Sequence, residues 1–148
     1  MGARRKGREL AVQALYQIDL TGDPADAALH LFFDACEAGS RAKEFAAALV
    51  AGVREHRQRL DELIAQASEH WRFERLSRVD LNVLRIAAYE LSETRQVPTS
   101  VVIDEAIEIA RRFGTEESAM FVNGILDQIA TQLGVKEEPT ERGARGNG

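Results

Sequence analysis

Residues 75–91, RLSRVDLNVLRIAAYEL, constrain the fold most strongly, because their apolar side chains do not stay on one face of a helix. Ser77, followed three residues later by Asp80, resembles a capping box, so a helix is predicted to begin here. Past this cap, two apolar stripes cover most of the helix circumference: Val79, Val83 and Ile86 in one, and Leu81, Leu84, Ala88 and Leu91 in the other. A helix with this pattern is normally packed against several neighbours at once. We therefore expect it to be the central helix of the fold.

Two charged residues inside this apolar stretch, Arg85 and Glu90, also constrain the packing. Burying either charge alone is costly, so a partner is expected for each. Glu105 lies on a later predicted helix, and we expect it to pair with Arg85. The adjacent Asp104 points about 100° away from Glu105 around that helix, so the two carboxylates are not expected to share a catalytic site.

The rest of the chain also indicates helices. Apolar residues recur at helical spacing, and no segment alternates as a strand does. With 148 residues, the chain suits one compact domain. The sequence predicts an all-α fold, in which two small helical bundles form this domain. The predicted division is a basic N-terminal arm (1–8) leading into helix one, a helical domain (4–135) with subdomains at about 4–75 and 76–135, and a disordered C-terminal tail (136–148).

Capping residues, prolines and glycines mark the ends of the individual helices. Helix one is predicted from about Arg4 to Leu20, with Gly22 just beyond it. The other predicted ends are Asp23-Pro24 and Gly39 for the second helix, Ser40 and Trp71 for one long third helix, Pro98 and Gly114 for the fifth, and Thr115 and Gly134 for the sixth. Gly52, inside the third helix, indicates close approach of another helix. His56 lies on the apolar stripe of the same helix and is expected to be a core residue rather than a ligand.

The charge distribution is asymmetric. The first eight residues, MGARRKGR, carry four positive charges, and the remaining 140 hold 15 basic and 24 acidic residues, a net charge of −9. An acidic body with a basic arm is common in proteins that contact nucleic acid through one edge. A solvated N-terminus without a ligand is the alternative reading of the same charges.

The sequence argues against an enzyme. It contains no phosphate-binding or dinucleotide-binding glycine motif, no metalloprotease motif and no Cys/His cluster, so no cofactor and no metal site are expected. The single cysteine, Cys36, excludes an internal disulfide and is typical of a reducing cytoplasm. Because the N-terminus is basic and no apolar run is long enough to span a bilayer, we expect neither a signal peptide nor a membrane segment.

One residue near the C-terminal part of the chain does suggest binding. Phe121 is turned about 100° from the apolar stripe of its predicted helix, and Glu117 lies one turn before it. A partly exposed phenylalanine near a helix start can stack on a nucleobase. It can equally pack against a further element or a second subunit, and periodicity alone leaves both readings open.

Four blocks of the sequence resemble the NusB transcription antitermination factors, in that family's order and spacing. They are RELAVQALYQ (8–17), VDLNVLRIAAYEL (79–91), VPTSVVIDEAIEIARRFG (97–114) and FVNGILDQIA (121–130). The likeness covers roughly residues 4 to 133. A common asparagine of the third block is Asp104 here, which leaves the helix prediction intact.

This resemblance implies an all-helical RNA-binding protein that is not an enzyme. Such proteins pair with NusE, a small-subunit ribosomal protein, and together bind the single-stranded boxA element of nascent ribosomal RNA. The resemblance further implies docking on the RNA polymerase elongation complex with other Nus factors, which prevents premature termination. The expected location is the cytoplasm.

The resemblance also assigns roles to individual positions. The expected RNA contacts are Arg4, Arg5, Lys6 and Arg8, which would bind phosphates, and Phe121 with Glu117 near the RNA path. Met120 replaces a basic residue often found before that aromatic, so one phosphate contact is expected to be missing. The surface expected to face NusE bears Tyr16 and Asp80.

Three other readings stay open at this stage. A helical adaptor could bind proteins only, with its N-terminal arginines merely solvated. A helper domain of an RNA cytosine methyltransferase would need another chain for methyl transfer. A homodimer is also compatible with the resemblance, since some members of the family self-associate.

Overall fold

The protein is a helical assembly, here described from a computed structural model over residues 2–22, 26–68 and 76–136. Within these ranges there is no β-strand, and the helices are α1 (Gly2–Thr21), α2 (Asp26–Ala35), α3 (Ser40–Glu55), α4 (Arg57–Ala67), α5 (Arg78–Tyr89), α6 (Thr99–Phe113) and α7 (Glu116–Leu133). A π-helical turn, Glu90–Thr94, continues α5. The predicted all-α fold class is confirmed. No helix of the described ranges is long and apolar enough to cross a membrane.

The central position predicted for α5 is confirmed. This helix packs against α1, α3, α4, α6 and α7, and its residues 82–88 are all buried. The Ser77 hydroxyl accepts a hydrogen bond from the backbone N–H of Asp80 at 3.0 Å, so Ser77 is the N-cap. The Asp80 carboxylate does not complete a capping box with Ser77, because its Oδ2 accepts a hydrogen bond from Ser118 on α7. The cap was therefore predicted correctly, but the use of the carboxylate was not.

The prediction of one long third helix is wrong, because the chain breaks at His56 into α3 and α4. His56 has φ −107° and ψ 20°, outside the helical region, and its ring Nδ1 lies 3.0 Å from the carbonyl oxygen of Gly52. The break redirects the chain so that α4 packs on both α5 and α7. Trp71, the predicted end of the third helix, lies outside the described residues. Apolar spacing continues through the break, which explains why the sequence pattern did not reveal it.

Gly52 confirms the predicted close approach of another helix. A Cβ atom at this position would overlap the ring of Tyr89, which belongs to α5. Only glycine therefore allows α3 and α5 to pack in this way.

Most of the predicted helix ends are confirmed. The Thr115 hydroxyl accepts from the backbone N–H of Ser118, and the Ser118 side chain accepts in return from the backbone N–H of Thr115. Gly114 ends α6, and positive φ angles end α1 at Gly22 and α7 at Gly134. The second helix ends at Ala35 and not at Gly39, as was predicted. Ser40 was predicted as a cap, but it is the first residue of α3, and Gly39 occupies the N-cap without a side-chain bond. The predicted opening at Asp23-Pro24 lies outside the described residues.

The basic N-terminal segment forms the first turns of α1, which begins two residues earlier than predicted. Near this end, Gly7 lies against Ala42 and Phe45 of α3. Near the other end, Asp19 lies 3.5 Å from Arg57, just beyond the end of α3. Thus α1 and α3 run side by side in the same direction, with both N-termini at one end of the molecule.

The division into two subdomains stays a prediction, and one continuous apolar core includes residues from α1, α3, α4, α5, α6 and α7. The start of the predicted tail is held to the domain, since Thr99 Oγ1 donates to the carbonyl oxygen of Val135 at 2.6 Å. Lys136 follows, with its Nζ 3.1 Å from Asp127. Residues 137–148 lie outside the described ranges.

Candidate nucleic-acid interface

Two of the four basic residues predicted to bind phosphate are held by carboxylates. Arg8 is only 4% exposed and donates two hydrogen bonds, of 2.7 and 2.8 Å, to the buried Glu90. Arg5 donates two hydrogen bonds, of 3.0 and 2.8 Å, to Glu105 on α6, and its own side chain is 40% exposed. The hydrogen bonds from Arg5 hold the pKa of the Glu105 carboxyl below its usual range. Both pairs fix α1 against the rest of the domain.

The predicted pairing of Arg85 with Glu105 is therefore wrong, although Arg85 and Glu90 each have an oppositely charged partner, as expected. Arg85 donates to Asp61 on α4 at 2.8 and 3.1 Å and to Asp19 on α1 at 3.2 Å. The first turn of α1 lies beside α6, so Arg5 takes the carboxylate of Glu105, while Arg85 faces the other end of α1. Sequence reasoning missed Asp19 and Asp61, because their role depends on how three helices pack.

The other two basic residues, Arg4 and Lys6, are exposed on the first turns of α1. No carboxylate of the described ranges forms an ion pair with either of them. The Arg4 guanidinium lies 5.6 Å from the ring centroid of Phe45, within the range of a cation–π contact. Neither α1 nor α3 has an acidic residue in its first turn, so no carboxylate there offsets the positive end of either helix dipole. The positive potential of the two helix ends therefore adds to that of the two cations. This end of the molecule is suited to an anionic ligand.

Phe121 and Glu117 lie near the N-terminus of α7. Phe121 is half-buried, Glu117 is exposed, and Met120 between them is 73% exposed, as the helical spacing predicted. The hydrogen bond between Ser118 and Asp80, 3.1 Å long, joins the first turn of α7 to the first turn of α5. The predicted RNA contacts thus come from two helices, from the first turns of α1 and from the start of α7.

Tyr16 lies on an apolar groove of about 440 Å³. Tyr16 is 37% exposed and Leu20 is 61% exposed. The groove is lined by Val12, Gln13, Tyr16, Gln17, Leu20, Phe32, Val79 and Phe113, from α1, α2, α5 and α6. Of the residues that line the groove, only Tyr16 was predicted to face a partner. Phe32 and Phe113 occupy apolar helical positions, a pattern that is typical of core residues. The gap between their helices is a tertiary feature that the sequence pattern does not show.

Asp80, the second residue predicted to face NusE, is 4% exposed and does not reach this groove; its neighbour Val79 does. Burial raises the pKa of the Asp80 carboxyl, and the hydrogen bond from Ser118 opposes this shift in part. Its Oδ1 atom has no hydrogen-bond partner among the described residues. In this conformation Asp80 therefore connects the starts of α5 and α7 beneath the surface.

The chain is similar to known proteins over most of its length. A family model described as the NusB family matches residues 5–131. The transcription antitermination protein NusB of Geobacter sulfurreducens is 52% identical over 134 residues, which is 90% of this chain and 97% of that protein. Among solved structures, T. maritima NusB has a TM-score of 0.77 at 42% identity, covering 87% of this chain and 91% of that chain. A crystal structure of antitermination factors NusB and NusE in complex with dsRNA has a TM-score of 0.76 at 26% identity, covering 89% of this chain and 98% of that chain.

Proposed function

Because this chain belongs to the NusB family, we propose that it is a transcription antitermination factor, not an enzyme, and that it binds RNA together with a NusE protein. The observation that carries RNA binding is the pair of exposed cations, Arg4 and Lys6, on a chain of net charge −5. Carboxylates elsewhere on the surface repel RNA, whereas this end attracts its phosphates. The RNA is thereby confined to one part of the surface.

The phosphate contacts proposed on α1 are Arg4, Lys6 and the half-exposed Arg5. Arg5 can exchange Glu105 for a phosphate at the surface. Arg8 has a different part: its ion pair with Glu90 is buried, so it positions the first turns of α1 rather than contacting RNA. Phosphate contacts of this kind hold the RNA in register without reading its sequence.

Base recognition is proposed for the start of α7. A single-stranded base can stack on the ring of Phe121, and the Glu117 carboxylate can accept hydrogen bonds from exocyclic amino groups. The proposed target is the boxA element of nascent ribosomal RNA. Because the related complex named above contains dsRNA, a duplex of the same sequence belongs in the test.

The proposed surface for NusE is the apolar groove around Tyr16. A half-exposed tyrosine beside an apolar groove is typical of an interface anchor. NusE bound there would add its own RNA contacts to those of this chain, and the linked sites would raise the overall affinity. The complex would act in the cytoplasm on the RNA polymerase elongation complex with other Nus factors. A homodimer that covers either surface would compete with this assembly, and sedimentation at several concentrations detects it.

The test is a fluorescence titration of a labelled boxA strand with this protein, with and without its NusE, at several salt concentrations. Three phosphate contacts on a single strand predict a slope of log affinity against log salt of about −2. NusE is expected to tighten binding, and a scrambled strand is expected to bind more weakly. Unmeasurable RNA binding by a protein that still binds NusE would support the protein-only adaptor instead.

The stacking role of Phe121 has a matched control in the neighbouring Met120. Phe121→Ala is expected to weaken binding of the strand by about 1–3 kcal/mol, the range for loss of one stacked base. Met120→Ala removes a more exposed apolar side chain from the same helix turn and should leave the affinity unchanged. If the protein bound the single strand and the duplex with equal affinity, and if Phe121→Ala changed neither affinity, the result would argue for recognition of RNA shape alone.

A further inference from the structure

The first turn of α3 lies directly beside the basic first turns of α1. A Cβ atom on Gly7 would lie 2.9 Å from the carbonyl oxygen of Ala42 and 2.8 Å from Cδ2 of Phe45, so the two helices touch without a side chain between them. Since α1 and α3 run in the same direction, their unsatisfied N–H groups also lie at the same end. Any ligand bound by the start of α1 is therefore within reach of the start of α3.

The start of α3 is itself basic. It carries Arg41, which is exposed, and Lys43, which is half-buried. Within the described ranges neither residue forms an ion pair, and the first turn of α3 has no acidic residue. Cations at a helix N-terminus are disfavoured by the helix dipole. Their charge therefore adds to the positive potential at this end instead of being neutralised.

Phe45 connects the cations of the two helices. Arg41 lies one helical turn before Phe45, so both occupy the same row of α3. The ring of Phe45 carries the guanidinium of Arg4 at 5.6 Å and that of Arg8 at 5.4 Å. Because Glu90 holds Arg8 and Arg8 lies over this ring, the ring of Phe45 is held in place and joins Arg4 to the row of α3 that carries Arg41.

We propose that Arg41 is a further phosphate-binding residue and that the RNA path continues from Arg4, past the ring of Phe45, onto α3. The ligand class is the phosphate backbone of RNA, and the inference rests on the RNA binding proposed above. Arg41 and Arg4 then form one basic track contributed by two helices. Lys43, on the other side of Ala42, adds to the potential without lying in this row.

The experiment uses the full chain with its NusE and a fluorescein-labelled single strand that carries boxA, titrated between about 50 and 200 mM salt. Arg41→Gln is expected to reduce the salt slope by about 0.7, which corresponds to about a fivefold loss of affinity at 100 mM salt. Arg41→Lys retains the charge and is expected to keep the slope. Arg59→Gln is the matched control. Arg59 is an exposed residue of α4, beyond the C-terminal end of α3, and its substitution should change neither the salt slope nor the affinity.

The outcomes separate this inference from the proposed function. If Arg41→Gln leaves slope and affinity unchanged while Arg4→Gln lowers both, RNA binding stands and the track onto α3 is wrong. If the unaltered protein with NusE does not bind the strand at all, the proposed function fails and this inference with it. Circular dichroism of each variant checks folding, which the exposed position of Arg41 should leave intact.

Discussion

Arg4 and Arg8 lie one helical turn apart on α1, contact the same Phe45 ring, and have opposite environments. Arg8 is buried and donates two hydrogen bonds to Glu90. Arg4 is exposed, and no carboxylate of the described ranges is paired with it. The two residues are chemically identical, so the difference between them comes only from the helices that surround α1.

This contrast separates two uses of a positive charge. A buried paired arginine acts mainly on stability, because removing it leaves a carboxylate without a partner in a poorly solvated place. An exposed unpaired arginine acts on binding, because it is free to replace the counterions of a phosphate. Variants of each kind should therefore change one property and leave the other almost unaffected.

The largest expected effect is that of Arg8→Met. This change leaves Glu90 buried without its cation, and we expect it to lower the free energy of unfolding by about 3–5 kcal/mol. Urea-induced unfolding followed by circular dichroism measures this value. The double variant Arg8→Met with Glu90→Met removes both charges and should recover most of the loss. A double variant as unstable as the single one would show that packing of the arginine, and not its charge, stabilises this site.

A smaller effect is expected for Asp19→Asn. The buried Asp19 carboxylate accepts from Asn82 at 3.0 Å and from Arg85 at 3.2 Å, but Arg85 keeps Asp61 when Asp19 is neutralised. We expect a loss of about 1–3 kcal/mol in the same unfolding measurement. Asp127→Asn breaks an exposed pair with Lys136 and is the control, with an expected loss below about 1 kcal/mol. Equal losses would mean that burial does not distinguish the two pairs.

Local sequence patterns predicted much of the fold. Residues near in sequence or on one helix face determine the features that were predicted correctly. These are the caps at Ser77 and Thr115, the helix ends at Gly22, Gly114 and Gly134, and the close approach at Gly52. The break at His56 was missed, because apolar spacing continues through it and its non-helical backbone angles have no sequence signature. The described ranges therefore contain one α-helix more than predicted.

Ion-pair partners were much harder to predict, because they are set by tertiary packing. Glu90 was expected to have a partner, yet that partner is Arg8, 82 residues earlier, and Arg5 lies 100 residues from Glu105. The sequence showed four basic residues at the N-terminus, and all four were predicted to have the same role. Only the positions of α5, α6 and the π-helical turn divide those charges into paired and exposed residues, and the proposed site depends on that division.

The third prediction concerns pH, with opposite signs for two carboxylates. Burial raises the pKa of Asp80 in the folded protein, so its contribution to stability falls as pH rises from its unfolded pKa through the raised folded pKa. Asp80→Asn removes this dependence. The difference in unfolding free energy, Asp80→Asn minus unaltered protein, should therefore be more positive at pH 7 than at pH 4.

Glu105→Gln is the counterpart of that experiment. Arg5 lowers the pKa of Glu105, so the stability from this pair is present above the unfolded pKa and is lost as pH falls through the lowered folded pKa. This variant should be less stable than the unaltered protein at pH 7, and the two should converge in acid. Asp80 is a buried carboxylate without a cation, whereas Glu105 is paired with Arg5. If the stability differences of Asp80→Asn and Glu105→Gln changed with pH in the same direction, this distinction would be contradicted.

The smallest effect on stability is expected for Arg4→Gln and Lys6→Gln. Each should change the free energy of unfolding by less than about 0.5 kcal/mol, because neither side chain is buried or ion-paired within the described ranges. Each should also reduce the salt slope of RNA binding by about 0.7. Arg8→Met should show the reverse, with a lower free energy of unfolding and an unchanged slope. If Arg4→Gln instead lowers stability by more than 1 kcal/mol at an unchanged slope, its contact with Phe45 is structural, and the contrast between Arg4 and Arg8 is one of degree only.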